Sequence, residues 1–558
     1  MPRVINLQTS FNSGVLDPRL AARTDLKHFY QGAAEAINVQ TMPQGGMKRR
    51  PGFKYIDTIT NKSRLAAFAF NVEQTYLVVF SDLNIDIYKD GVHQANVTTT
   101  YTEAELFDLQ WTQSADTMII VHEDHAPAKL VRGASHTSWT LSNITLTNIP
   151  QYTFATVDED VWSATRGWPK SVTFYQGRMW FGGSKSRPQT LWGSKTNDFY
   201  NFDLGTSLDD EALDLTLDTD QVNAITSVYA GRHLQVFTTG GEFAMTDVPI
   251  TPANSAVKRQ TLFGSSTIPP KSIDGATLFV DRTGKSVREY LFSYTEDAYT
   301  SGTISLLASH LLNSPVDMDA LRGTAKDDSN YVYFINTDGT VAVFNTLRMQ
   351  EVGGWTKWVT NGVVETVAVV VEEVYFVVKR TINGVEKRFI ERLDSDTYTD
   401  SCISQTLSPA SNTVTGLDHL DGESCRVRAD GSVMESATPA SGSITVSREV
   451  EEVEVGLNYD ASIKTMPINQ DFQDGPILTR KKRVVRVIAN LYESLGVSVN
   501  GEYMVDRSFG MPLGSHITPY TGVKEMYLLG WTDLAQVEIT QIDPGPMTVL
   551  GLGVEVEA

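Results

Sequence analysis

Two stretches of this chain carry side chains that do chemistry in other settings. His122-Glu123-Asp124-His125 places two imidazoles beside two carboxylates, donors that hold zinc where four converge. The spacing matches no recognised ligand set and no Cys or His cluster complements it, so it reads as a solvated turn. Asp209–Asp220 (DDEALDLTLDTD) gathers Asp209, Asp210, Glu211, Asp214, Asp218 and Asp220. It lacks the alternating carboxylate spacing of a calcium loop. It reads as an exposed acidic loop, or as a negative lining for a lumen. Paired carboxylates also hydrolyse glycosidic bonds, but in a chain this rich in Asp and Glu a pair alone says little. No sialidase-type Ser-x-Asp-x-Gly-x-Thr-Trp box, G-x-S-x-G elbow, phosphate loop or dinucleotide fingerprint occurs. Asn197–Phe202 (NDFYNF) reads as a packed aromatic corner rather than a sugar platform. The expectation is a protein without catalytic residues, cofactor or metal.

The elements that carry these residues are short strands. In Trp168–Phe202, Ser171–Tyr175 alternates, Gln176-Gly177 turns the chain, Met179–Phe181 returns, and a third run starts at Thr190. Period-two alternation bounded by Gly, Pro and Asn is the signature of strands and hairpins. The pattern recurs at 64–91, 106–133, 224–246, 274–293, 316–345 and 363–393. A repeat of this size, with few free edges, fits propeller blades. Residues 61–395 therefore read as an irregular β-propeller of six or seven blades, with a pair of β-sandwiches as the alternative. Residues 1–60 read as an extended and helical N-terminal arm, with a helix over Arg19–Ala36 and a Gly/Pro loop at Met42–Gly52. Thr300–Leu312 also reads as a helix packed between blades. Residues 396–558 read as a C-terminal β domain with a variable insert near 400–445. The fold class is mainly β.

Composition narrows the function. A net charge of −21 repels nucleic acid rather than binding it. No apolar run reaches the roughly 20 residues of a membrane-spanning helix, and the opening MPRVINLQTSFNSG has no signal-peptide core, which points to folding in a cytoplasm. Cys402 and Cys425 are expected to be reduced thiols.

Two segments carry a resemblance. Residues 10–56 place Phe11, Gly14, Leu16, Pro18, Leu20, Arg23, Asp25, Leu26, Gly32, Asn38, Pro43, Gln44, Gly45, Gly46, Arg49, Arg50, Pro51 and Gly52 in one order. Further on come Trp168-Pro169, Arg187-Pro188-Gln189, Trp192-Gly193-Ser194 and Asp198–Phe202. This order resembles the tail nozzle proteins (tail tubular protein B class) of short-tailed bacteriophages. The resemblance implies a structural virion protein at the tail tip, a homohexameric ring below the portal and its adaptor ring (tail tubular A-like). It also implies a channel that passes DNA without sequence-specific binding, and a docking surface for tail fibres or spikes. We expect Phe11, Gly14, Arg23, Asp25, Gly45, Gly46, Arg49 and Arg50 to form the contact with the adaptor or a neighbouring copy. The carboxylates of Asp209–Asp220 are the candidates for a lumen. The alternative function is a propeller that binds or cleaves glycans in receptor recognition.

Overall fold

A computed structural model describes residues 3–219, 222–323, 329–469, 471–472, 475–476, 480–507, 510 and 517–557. Six four-stranded antiparallel blades span 64–98, 110–143, 171–216, 225–261, 271–303 and 315–358. The seventh takes three strands from 363–394, and its fourth is Gly52–Ile59, paired antiparallel with Val385–Asp394. Residues from the start of the chain thus close the ring onto its last blade.

Seven interfaces between blades are apolar, and they run unbroken around the ring. Phe68 and Val78 of blade one meet Leu106 and Ile120 of blade two. The sequence continues through Ile119 with Phe181, Trp180 with Val236, Phe237 with Phe279, and Leu278 with Phe344. Tyr333 with Phe376 and Val377 with Val79 complete the circuit. Each blade is covered on both faces, so its second strand is a continuous apolar run: all of Tyr76–Phe80 is buried. Burial on both faces is also why these strands read as runs rather than strict alternation. Asp90-Gly91, Gln176-Gly177 and Asn383-Gly384 have positive φ at both residues, as two-residue hairpin turns matched to strand twist require.

The first 60 residues are woven into the body, which corrects their reading as an arm. Gly14–Val15 and Gly32–Ile37 add parallel to the outer strand of blade six, Val352–Trp358, and lead on to Ala461–Thr465 of the C-terminal part. Arg3–Gln8 pairs with Thr548–Glu557. The expected helix over Arg19–Ala36 is two short 3-10 turns, Pro18–Leu20 and Phe29–Gln31, followed by a strand. Hydrogen-bonded neighbours on both sides of Gly32–Ile37 outweigh its helix-forming alanines. Met42–Gly52 contains the returning strand of the hairpin Val39–Thr41/Met47–Arg49 rather than a free loop. Thr300–Leu312 is likewise no helix: Ala298–Thr303 is the outer strand of blade five, and a kinked 3-10 segment, Leu306–Leu311, follows.

The C-terminal part grows from the outer edges of blades six and seven. The stretch 400–445, read as an insert, holds the long strand Asp400–Thr415, paired with Ser443–Leu457 and packed on its own core of Val414, Leu420, Val427 and Ile444. Both cysteines are free and buried. Burial pushes the Cys425 thiol up to about 12 and that of Cys402 well above its ordinary value. Thiolate, not thiol, is the nucleophile, so neither is expected to react with a disulfide reagent at pH 8 until the protein unfolds. Release of chromophore from the native protein would contradict this.

Candidate functional site

The basic motif 48–50 ends inside the molecule. Arg50 is fully buried, and its guanidinium is bidentate on Asp400, at 2.8 and 2.7 Å. It also donates to Asn38 Oδ1, Pro51 O and Val359 O. Its guanidinium carbon lies 3.7 Å from the ring centre of Tyr459, whose hydroxyl donates to the Arg50 carbonyl. Arg49 sits on the same ring at 4.2 Å and donates to Tyr459 O, Gln541 Oε1 and Asp543 O. Thr360 links Asp400 to Arg380, itself bidentate on buried Glu391. Burial alone would raise the Asp400 pKa; Arg50 outweighs it and holds the carboxyl below the ordinary range. Residues 38–53, 358–400 and 459–543 therefore meet in one polar hub.

This placement corrects the expectation that Arg49 and Arg50 form an external contact. Both guanidiniums are buried, at 4% and 0% exposure, and bond to carbonyls and side chains of their own chain, so neither is presented to a partner. Other members of the motif serve the same closure. Phe11 is buried and donates its backbone N–H to Gly45 O at 2.7 Å. A side chain on Gly46 would press on Val549 O, and one on Gly14 on the backbone of Trp355. Arg23 and Asp25 alone remain outside, as an exposed bidentate pair at 2.8 and 2.9 Å. Tyr459 falls on a weaker part of the nozzle-like resemblance, Val455-Gly456-Leu457-Tyr459, whereas Asp400, the carboxylate that gives the hub its shape, had no signal in the sequence.

The acidic loop divides. Asp209, Asp210 and Asp218 are exposed. Glu211 is buried and accepts from Thr206 N and Leu208 N, both at 2.7 Å. Asp214 pairs with Arg187 at 2.8 Å and accepts from Trp192 Nε1. Asp220 lies outside the described residues. Glu211 and Asp214 are structural, which corrects their assignment to a lumen. The loop flanks the outer strand of blade three, Leu213–Thr216, far from the propeller axis.

That axis holds a cavity of about 350 Å³ lined by the first strands of all seven blades. Arg64 donates to Leu106 O and Leu109 O, Asp317 accepts from Thr366 and Val367, and Lys271 pairs with Asp319 at 2.8 Å. Gln110 reaches past blade three to Thr226 O at 2.6 Å. The bore is therefore narrow and knitted by side chains.

Glu105 joins the two histidines: one ligand atom each of Glu105, His122 and His125 lies within 4.8 Å of the others. These atoms already have partners. His125 Nε2 is 3.1 Å from Glu105 Oε1, Thr102 N–H and hydroxyl hold Oε2, and Asp124 N donates to His122 Nδ1. Burial pushes the Glu105 carboxyl up, but the Thr102 bonds and His125 more than offset this and hold it at about 2, against 4.5 unperturbed. A depressed carboxylate stabilises the fold above its unfolded pKa and loses that contribution as pH falls through the folded value. Glu105→Gln is therefore expected to cost about 2 kcal/mol at neutral pH, with the gap closing from pH 4.5 toward 2. Urea midpoints across that window test it; a pH-independent gap would contradict it. Excess zinc is expected to leave the melting temperature unchanged.

No protein-family model and no curated protein matches this chain. Among solved structures, the WD40 repeats of RRP9 align over 62% of this chain and 100% of theirs, at 9% identity and a TM-score of 0.38. BBS1N, solved in complex with ARL6DN, aligns over 62% and 98% at 9% identity and 0.36. The WD40 domain of Neurospora crassa Pan2 aligns over 60% and 97% at 8% identity and 0.34. At these scores the likeness carries no argument about partner or activity. The propeller stands on its own seven sheets.

Proposed function

We propose that this chain is a non-enzymatic wall protein, the tail nozzle of a short-tailed phage, acting as a homohexameric ring that extends the DNA channel beneath the adaptor ring. The observation that supports it is the hub. Residues matching the nozzle-like motif, Asn38, Arg49 and Arg50 among them, lock the two ends of the chain and the last blade into one body. A rigid closed unit suits a wall that bears the pressure of packaged DNA. The propeller bore cannot itself be the conduit, since a cavity of about 350 Å³ admits nothing like a duplex, whose major groove alone is about 12 Å wide. DNA would instead run along the axis of the ring, past outer faces of the subunits. A net charge of −21 lets it slide without sticking.

Immunogold labelling of intact virions tests the reading. Gold at the distal end of a short tail is expected. Label on radiating fibres would favour the glycan-recognition alternative. No label on denatured virions would remove the protein from the particle and end the proposal.

A further inference from the structure

Four neighbouring strands of the C-terminal part form a sheet in the order Arg3–Gln8, Thr548–Glu557, Arg483–Ser494, Tyr520–Tyr527, each antiparallel to the next. Among the described residues no strand pairs with the outer edge of the first or of the last. Neither edge strand contains proline, and the pairing of Arg3–Gln8 is free of bulges. Arg3–Gln8 thus lacks the proline and the bulge that commonly guard an edge. On the other edge Lys524 is held by Asp506 and Val505 O of its own chain, and the register irregularity lies at the Tyr520 end, leaving Gly522–Tyr527 regularly paired.

The outward face of this sheet has a polarity. A chain of ion pairs crosses it: Arg3 to Glu555 at 3.3 Å, Glu555 to Arg486 at 3.1 Å, Arg486 to Glu525 at 3.2 Å. It begins with a cation on one outer strand of this four-strand order and ends with a carboxylate on the other. Apolar side chains flank both ends and are open to solvent: Ile5 at 55% and Leu7 at 66% exposure, Val523 at 54% and Tyr527 at 70%.

We infer that copies of this chain join head to tail through these edges, Tyr520–Tyr527 of one beside Arg3–Gln8 of the next. The inference rests on the ring reading above and names its contact. With an even number of alternating strands, the two edges run in opposite directions. A rotation about an axis roughly along the strands therefore brings them together antiparallel without inverting either copy. The contact is heterologous, one surface meeting a different one, as ring closure requires. Main-chain hydrogen bonds between edges supply affinity, and the side chains supply selection. Glu525 opposite Arg3 of the next copy continues the alternation of charge, and that antiparallel register sets Val523 opposite Ile5. Like edges facing each other would put Arg3 against Arg3 or Glu525 against Glu525.

The test uses the full chain and mass photometry. Arg3→Glu and Glu525→Arg are each expected to lower the assembled fraction about ten-fold, and the double variant is expected to restore it. As a second readout, Ile5→Cys with Val523→Cys is treated with a bismaleimide shorter than the about 14 Å, three strand spacings, that separates the edges within one copy. Native Cys402 and Cys425 are buried and silent. A covalent ladder ending at a closed ring supports the inference. Dimers from either single-cysteine variant would show like edges pairing and overturn it. A wild-type ring indifferent to both charge reversals would overturn the edge contact while leaving the nozzle reading intact. A wild-type protein that stays monomeric would overturn the contact too, with virion labelling still deciding the nozzle reading.

Discussion

Arg50→Met is expected to destabilise the protein by about 3–5 kcal/mol, because it strands Asp400 as an unpaired charge at zero exposure. The loss reaches beyond the ion pair. Asn38 Oδ1, Pro51 O and Val359 O each lose a donor at a place where water does not replace it. Removing both charges differs from removing one. Arg50→Met with Asp400→Leu is expected to recover most of the stability, since a buried pair replaced by apolar groups of similar size is often neutral or better. The recovery stays incomplete, because Thr360 hydroxyl also donates to Asp400 and Arg380 still needs Thr360. Urea unfolding followed by tryptophan fluorescence measures all three proteins. A single variant within about 0.5 kcal/mol of wild type, the range of ordinary surface substitutions, would show that the hub does not hold the chain ends.

The blades were legible because their rule is local. Alternation, Gly-containing turns and a strongly apolar second strand each lie within a few residues, so repeats such as 64–91 and 363–393 could be seen one at a time. Their number was not legible, because the fourth strand of blade seven comes from 52–59, more than 300 residues before its partner. The same separation misled the reading of the first 60 residues. Phe11, Val15, Ala33 and Met47 look like an arm without a core because their core is completed by Trp355, Ile463 and Val549. Arg49-Arg50 reads as charge offered to an outside partner for as long as Asp400, which neutralises Arg50, is 350 residues away. Helix propensity failed at Arg19–Ala36 for a related reason: alanine-rich sequence yields to strand when neighbours on both edges supply hydrogen bonds. Glu105 was within reach, since Thr102-x-x-Glu105 is a capping box and the structure forms it as one. What remained hidden was its approach to His125, which only the packing of the 3-10 turn Glu103–Glu105 against blade two could show.

Gly14→Ala is expected to cost about 3 kcal/mol or more, from two sources that a control can separate. The first is conformational: Gly14 has φ +59, a region where a side chain costs about 1–2 kcal/mol. The second is steric. A Cβ there would lie 2.8 Å from the Gly354 carbonyl carbon and closer still to the backbone N and O of Trp355. Those atoms cannot swing aside as a flexible side chain would, because Gly14 is paired in parallel with Trp355 and Gly32 at once. Gly384→Ala isolates the first source, since Gly384 has φ +76 and nothing within 4 Å of an added Cβ. It is expected to cost about 1 kcal/mol. If the two variants melt together, the close approach at Gly14 is not what fixes that residue. If Gly14→Ala is much the worse, the seam between blade six and the N-terminal strands tolerates no added atom. Arg3–Gln8 lies just upstream of that seam along the chain, so slack at Gly14 also loosens the edge offered to the next copy. Gly14→Ala should then lower assembly in mass photometry as well as stability, whereas Gly384→Ala, on a hairpin of blade seven, should leave assembly unchanged.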